Sequence, residues 1–576
     1  MRHSVVILGI NCTYHESSAC LIQDGNLIAA VEEERFNRIK HAKPAYVDNS
    51  DMLPESAIAY CLQAAGLDAL AEVDFIGYSF EPEDRLRKNS AHQHPYPVPA
   101  GDFGTEEGEQ IFYQKNVAVE QKIRGMGFEG DFFFLDHHDC HAASAFYVSG
   151  YAQAAVMVVD GIGEFESSTF YAGQDTQLHK IQHFEYPHSL GFLWEKLSAF
   201  LGFSAYDASK AMGLSSYGTP GLYKETLAQL IQVDDTGRFN INDALVQIRN
   251  DNFAPLEQLF KVPRRDTPVS EINAQTQCYA DIAVDLQIQT EEIFIRLAKW
   301  LQHETDMQHL CMAGGVTLNC VANGYLSYER IFENCYVQPA ANDAGTAIGA
   351  CYLIWHQKLG KPRQPITKSP YLGPEFSHQE IQTVLDQYGL DYQQHQNIAA
   401  TTASLLVEGN IIAWFQGRME LGPRALGNRS LLADPRRSDI TELMNVKVKH
   451  REAFRPFCPS VLAEKADDWF ELPQPVPEVA DYMLGAFRAK KDKADQIPAV
   501  VHFDGTSRIQ RVWQETNTRF HQLLTEMDQR TGVPILLNTS FNDQEPIVCT
   551  PEDAIKTFLK TRIDYLVIGD FIVTKK

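Results

Sequence analysis

Asp136-His137-His138-Asp139-Cys140-His141-Ala142-Ala143 opens an alanine-rich stretch of helical character. His137 and His141 are four residues apart, so on a helix both imidazoles project from one face, the spacing used for metal chelation. His138 is turned about 100° away and reads as a supporting or structural residue. Two histidines need further ligands, and Asp160 and Asp343, each following a strand-like run, are the natural candidates. A His2Asp2 set suits a borderline or hard divalent ion such as iron, manganese or zinc. The alternative is a helix start decorated with polar histidine caps. Tyr14-His15-Glu16-Ser17 lies in a loop of the same inferred cleft, where His15 is placed to act as a general base near neutral pH. Glu32–His41 carries mixed charge. Its simple reading is a solvated face; its sharper one brings Lys40 back to the cleft to neutralise an anion.

These residues need elements to hold them. Val5–Ile10 is a β-branched run ending in a polar loop, followed by the strands Ser18–Ile22 and Leu27–Val31 around the turn Asp24-Gly25. The same grammar returns at Ala155–Val159, which closes on Asp160-Gly161-Ile162-Gly163, then Ser168–Ala172, the turn Gly173-Gln174-Asp175, and Leu178–Phe184. Two copies of strand, polar loop and hairpin predict a duplicated α/β unit of actin-like or sugar-kinase-like architecture, with a nucleotide cleft between the copies. Leu310–Met312 then runs into Ala313-Gly314-Gly315, where paired glycines let a backbone approach a nucleotide and offer helix N-terminal amides to it. Cys335–Gln338 leads to Asp343 at the first turn of another helix, where a carboxylate is favoured.

Charge separates the two halves of the chain. The 576 residues carry 50 Lys+Arg against 75 Asp+Glu, a formal net charge of −25. That balance argues against a duplex or tRNA backbone as main partner, since phosphate polymers need a basic footprint. Yet Arg418–Arg455 holds nine Lys/Arg and five Asp/Glu, a net +4. Glycines punctuate its arginines in Gly417-Arg418-Met419-Glu420-Leu421-Gly422-Pro423-Arg424-Ala425-Leu426-Gly427-Asn428-Arg429-Ser430. Backbone and guanidinium groups can therefore meet a small polyanion together. Asn445–Arg451, Phe454–Phe457, Asp504–Arg508 and Asn538–Asn542 add amides, hydroxyls and cations. A nucleoside triphosphate and a second small phosphate fit that inventory; ion pairing with the acidic surface is the alternative. The eleven scattered cysteines contain no C-x-x-C pair, so neither a disulfide framework nor a thiolate zinc site is implied. No apolar run is long enough for a signal core or a membrane helix, and the expected location is the cytoplasm.

Taken together, the chain resembles the O-carbamoyltransferases of the nodulation-protein-U and tobramycin-carbamoyltransferase type. The resemblance spans nearly the whole length and rests on five motifs. They are His137-His138-x-x-His141-Ala142, Asp160-Gly161-x-Gly163-Glu164, Ala313-Gly314-Gly315-Val316-x-Leu318-Asn319, the Gly417–Ser430 block, and Asn538-Thr539-Ser540-Phe541-Asn542. It implies an actin-like carbamoyl-transfer domain over 1–360, similar to the tRNA threonylcarbamoyl-transferase subunit, a linker at 361–370, and an α+β YrdC-like domain over 371–576. The second domain would make carbamoyl-adenylate from carbamoyl phosphate and ATP with Mg2+. The first would pass the carbamoyl group to a hydroxyl of a small molecule, such as a sugar or an antibiotic scaffold of secondary metabolism. By the same resemblance, His137, His141, Asp160 and Asp343 would bind a divalent ion, iron first, with manganese or zinc as alternatives. His15 would deprotonate or orient the acceptor hydroxyl, and Lys40 would stabilise charge on the carbamoyl or phosphate group. Gly161, Gly163, Gly314, Gly315 and Asn319 would line the adenylate. Arg418, Arg424, Asn445, Lys449, Arg455, Arg508, Ser540 and Asn542 would hold ATP and carbamoyl phosphate.

Two positions depart from the family pattern. Glu16 stands where many relatives carry Asp, and Asp207-Ala208-Ser209-Lys210 replaces a Glu-Gly-Lys segment, with Asp207 as a substitute. A sugar-kinase-like phosphotransferase and a non-catalytic nucleotide-binding scaffold, as in tRNA-modifying complexes, are the competing readings. Neither nucleic acid nor membrane is expected as a partner, and the protein would be a monomer or homodimer. Acceptor specificity would lie in loops such as Tyr78–Gln114 and Phe253–Ser270.

Overall fold

The computed structural model describes residues 4–89, 94–366 and 368–575, so residues 90–93 of the Tyr78–Gln114 segment and residue 367 of the 361–370 segment lie outside the description. The chain divides into two compact units. One takes residues up to Ala322 together with Leu326–Lys368; the other takes Asn323–Tyr325 and Ser369 onward.

The first unit is built twice on one plan. Its first sheet runs in the order Asn26–Glu32, Ser18–Gln23, Val6–Asn11, Phe75–Tyr78, Asp131–Phe134. Its second runs Gln177–Glu185, Glu166–Gln174, Gln153–Val159, His309–Ala313, Asn334–Val337. In both, the first three strands form an antiparallel meander and the last two add in parallel. The duplication is therefore present in strand order and in pairing sense, and the unit has the duplicated actin-like α/β architecture. Val6–Asn11 is buried along its whole length, as a central strand covered on both faces must be. Asp24 and Gly25 take φ of 49° and 82°, the left-handed pair of a tight hairpin turn. In the second hairpin the expected turn Gly173-Gln174-Asp175 shifts toward Asp175. Gly173 and Gln174 still pair with Leu178 and Gln177, because a strand continues as long as its ladder bonds are met.

Two buried helices lie together in this unit: His137–Ser149, which carries His137 and His141, and Thr346–Leu353, which follows the turn of Asp343. They approach very closely at Gly349, where a Cβ would lie 1.7 Å from the carbonyl oxygen of Cys140. The proline-rich segment after residue 360 is anchored to the first unit. The Arg363 guanidinium donates to the carbonyls of Tyr147 (2.9 Å), Phe146 (3.1 Å) and Tyr151.

The second unit is an α+β body on an eight-stranded mixed sheet. Its order is Asp391–Gln394, Phe571–Thr574, Tyr565–Ile568, Ile412–Phe415, Arg429–Ala433, Ile535–Ser540, Cys458–Leu462, Gln510–Val512. The helices Ile398–Val407 and Thr518–Thr531 bury Leu406, Phe520, Leu524 and Met527 against Trp414, Leu432 and Leu536. All eleven cysteines are free. Among the described residues no helix is long and apolar enough to cross a membrane.

Candidate active site

His137 is the first residue of its helix, and Asp136 caps the helix by accepting from the Asp139 amide. The four-residue spacing puts His137 and His141 side by side, ring centroids 4.7 Å apart. Asp160, just beyond Gln153–Val159, and Asp343, opening the turn before Thr346, face them. His137 Nε2 lies 3.8 Å from Asp160 and 3.6 Å from Asp343; His141 Nε2 lies 3.5 and 3.7 Å from the same oxygens. These separations are too long for hydrogen bonds. Ligands held about 2.0–2.2 Å from one ion sit roughly 3–3.6 Å apart, close to what is observed. Both Nε2 atoms are buried with no hydrogen-bond partner. Burial alone would push the His137 imidazole down, but the two facing carboxylates outweigh it and lift it well above its usual range. Four buried donors aimed at one point, with orphaned nitrogens, fit a divalent cation.

The supporting contacts orient each donor. His137 Nδ1 donates to the Ser79 carbonyl at 2.9 Å, which leaves Nε2 as the lone-pair nitrogen, as metal-ligating histidines require. Asp160 Oδ1 accepts from the Gly315 amide at 2.7 Å, turning Oδ2 toward the histidines. Glu164 accepts from the His137 and Glu81 amides. His138 faces the other way, bonded to Thr169 Oγ1 at 2.7 Å, and burial pushes it down to about 3. Gly314 has φ of +95°, and a Cβ there would meet the Val159 carbonyl oxygen at 2.4 Å. The Gly314 amide goes to Ala341 O at 2.7 Å and the Gly315 amide to Asp160, so the glycines' own two N–H groups are engaged within the protein. Asn319 caps the helix Cys320–Glu329 and exchanges amide bonds with Gln287. Gly163 O accepts from Tyr14 Oη at 2.8 Å, and Gly161 O from Ser189 Oγ at 2.6 Å.

The loop of His15 is held in an uncommon conformation. Tyr14, Glu16, His41 and Ala42 all have φ between 56° and 67°, costly for residues with a Cβ. The Glu16 amide bonds to His41 O at 2.8 Å, while the Glu16 carboxylate meets His41 Nδ1 at 3.0 Å and His15 Nδ1 at 3.4 Å. Burial opposes charge on His15, yet the Glu16 carboxylate lifts it to about 9. A carboxylate held against the imidazole favours its protonated form, in which it donates rather than accepts. Lys40 is exposed. The buried lysine of this stretch is Lys43, whose Nζ donates to the carbonyls of Cys12 (2.6 Å) and Asn49 (2.7 Å). Asp207 pairs with Lys210 at 3.1 Å.

The second unit gathers cations by a different route. Lys449 is buried and donates to Asn542 Oδ1 (2.7 Å), Asn542 O (3.0 Å) and Ser540 Oγ (3.2 Å). Asn445 accepts from Arg451 Nε at 3.0 Å. Burial, then the charges of Arg455 and Arg508, bring the Arg451 guanidinium down to about 9, a crowding of like charge that an anion would relieve. Arg418 donates to the carbonyls of Leu372 (2.7 Å) and Gly373 (3.3 Å), and Arg424 is half-buried beside it in sequence.

Within the glycine–arginine block, two residues act on the loop itself. Glu420 accepts from the amides of Leu426, Asn428 and Arg429. Arg429 is fully buried, 3.7 Å over the Phe415 ring, and donates to the carbonyls of Gln416, Gly417, Asn428 and Pro374 at 2.6–3.1 Å. Arg429→Ala would strip four carbonyls, three of them buried, of a donor. A loss of about 3–5 kcal/mol is expected, read as a lowered denaturation midpoint; an unchanged midpoint would refute it.

Family models match both parts of the chain, Carbamoyltransferase N-terminus over residues 6–352 and Carbamoyltransferase C-terminus over 403–575. The chain belongs to the carbamoyltransferase family. An uncharacterized protein of Synechocystis is 40% identical over 612 residues, covering 99% of this chain and 96% of that one. Nodulation protein NolNO of Sinorhizobium fredii is 36% identical over 582 residues, covering 98% and 80%. Nodulation protein U of the same species is 26% identical over 570 residues, covering 93% of each. Among solved structures, full-length HypF in a phosphate- and nucleotide-bound form reaches a TM-score of 0.32 at 13% identity, over 61% of this chain and 46% of that one. That distance carries no argument.

Several residues of this carbamoyltransferase escaped sequence reasoning. Glu164 follows Gly163 directly in a quoted motif, and that adjacency was the available signal. Glu420 and Arg429 look like ligand groups in sequence and are spent on backbone. Arg451 was visible as part of a basic run, without a sign that Arg455 and Arg508 crowd it.

Proposed function

We propose that this carbamoyltransferase activates carbamoyl phosphate with ATP and then transfers the carbamoyl group to a hydroxyl of a small molecule. The observation that supports the reading is that each unit gathers its own charged cluster: four metal-type donors in the first, and crowded guanidinium groups around Arg451 in the second. A carbamoyl carbon is a poor electrophile because its nitrogen donates into the carbonyl, and a mixed anhydride with AMP overcomes this. In the second unit, Arg418, Arg424, Asn445, Lys449, Arg455, Arg508, Ser540 and Asn542 hold ATP and carbamoyl phosphate in this reading, with Arg451 added. In the first, His137, His141, Asp160 and Asp343 hold a divalent ion, iron by family resemblance. Such an ion supplies a Lewis-acid grip on a phosphate oxygen. His15 keeps its proton and orients the acceptor or the leaving oxygen by donating to it. Lys40 lies on the surface in this conformation and serves the anion only if its loop turns inward.

The test is product analysis. With carbamoyl phosphate, ATP, Mg2+ and a panel of hydroxylated acceptors, the protein should release AMP and form a carbamate ester. ADP and a phosphorylated acceptor would instead establish the kinase reading.

A further inference from the structure

Transfer to a hydroxyl requires a group that takes its proton, and in the reading above His15 serves as a donor, its imidazole lifted by the Glu16 carboxylate. We propose that Glu195 is that group: it accepts the proton of the acceptor hydroxyl on the helix face that abuts the Asp160 loop. This rests on the carbamoyl-transfer reading above.

The placement follows from the helix Leu190–Phe200. Its cap, Ser189, accepts from the Phe192 amide and donates to Gly161 O at 2.6 Å. At Gly191 a Cβ would lie 2.7 Å from Gly161 Cα, so this helix face abuts the loop that carries Asp160. Glu195 is four residues further along and therefore on the same face. The Tyr206 ring, whose hydroxyl senses the Glu195 charge, stands edge-on to His15 with centroids 4.8 Å apart. Among the charged groups acting on Glu195, His15 and Arg249 pull its carboxyl down while Asp160 and Asp343 push it up. No hydrogen bond or ion pair among the described residues engages its carboxylate, and it is half-buried. A carboxylate so placed has its lone pairs available to a ligand. Burial raises it to about 7 against the pull of His15 and Arg249, within the range where a general base works best at neutral pH.

The hydroxyl proton moves to a Glu195 carboxylate oxygen while the hydroxyl oxygen bonds to the carbamoyl carbon. The bond from that carbon to the phosphate oxygen of the mixed anhydride breaks, and its electron pair leaves with AMP. Glu195 then returns the proton to solvent.

Two nucleophiles separate a base from a structural residue. Glycerol must lose a hydroxyl proton to attack, whereas hydroxylamine attacks through a free nitrogen lone pair. Wild type, Glu195→Gln and Glu195→Asp are given carbamoyl phosphate, ATP and either probe, with glycerol carbamate and hydroxyurea measured by mass spectrometry. Glu195→Gln should lose glycerol transfer by roughly 10²–10⁴-fold and keep hydroxylamine transfer within about threefold, with Glu195→Asp recovering part of the glycerol rate. Equal loss with both probes, or loss with neither, overturns the assignment. If wild type yields neither product while ADP accumulates, the carbamoyl-transfer reading itself falls, and this inference with it.

Discussion

His137→Ala is expected to lose its bound divalent metal and to lower carbamoyl transfer on the order of 10³-fold. Removing His137 takes away one of two imidazoles that face Asp160 and Asp343 across 3.5–3.8 Å. Metal polarisation of a phosphate oxygen is worth several kcal/mol in the transition state, and about 4 kcal/mol corresponds to roughly a thousandfold in rate. The neighbouring His138→Ala supplies the contrast. His138 bonds Thr169 and contributes nothing to the donor set, so this variant should keep its metal. Elemental analysis of the purified proteins decides the matter, with circular dichroism confirming the fold. Wild-type metal content in His137→Ala, or equal loss in both variants, would remove the metal assignment. The two carboxylates also make the direction of metal affinity with pH definite: imidazoles must shed their protons to bind, and Asp160 and Asp343 hold those protons on. Occupancy should therefore fall as pH is lowered.

How far the site could be read from sequence depends on what kind of constraint each residue answers to. The helical spacing of His137 and His141 is periodic, and periodicity survives in the chain as written. The strands Val6–Asn11 and Gln153–Val159 were legible for the same reason, since burial on both faces demands continuous apolar runs. The second hairpin turn was misplaced because Gly173 and Gln174 look like turn residues although their ladder partners hold them in the strand. Lys40 and Lys43 differ by three positions in an irregular loop, where no period says which one turns inward. The protonation of His15 depends on Glu16, an adjacent residue whose carboxylate reaches it through a left-handed backbone at φ 59°. Residue identity alone does not predict that conformation. Arg429 and Glu420 show the converse difficulty. A buried arginine bonded to carbonyls and a surface arginine waiting for phosphate are the same letter in a motif, and only the count of local acceptors separates them.

That distinction sets up the second large effect, at Arg508. Arg508→Ala should lower carbamoyl-phosphate-dependent AMP formation by roughly 10²–10³-fold, the usual consequence of removing one preorganised donor from a developing or transferred anion. The structure gives this loss a signature that a folding defect would not share. Arg451 is brought down to about 9 by burial first and by Arg455 and Arg508 next. A cation whose folded value is depressed below its unfolded one costs stability, in full below the folded value of about 9 and progressively less as pH rises toward the unfolded one. Removing Arg508 relieves part of that repulsion, so the ligand-free variant should melt at the wild-type temperature or a few degrees above it, about 2–4 °C per kcal/mol for a body of this size. Arg508 also donates to Cys458 Sγ at 3.0 Å. Falling activity with unchanged or rising stability is the behaviour of a site that stores like charge for a substrate to neutralise. Arg508→Lys should recover charge but not the planar fork, and so restore only part of the rate. A variant that loses activity and melting temperature together would show Arg508 to be a structural residue, and unchanged dependence on carbamoyl phosphate would place that substrate elsewhere in the protein.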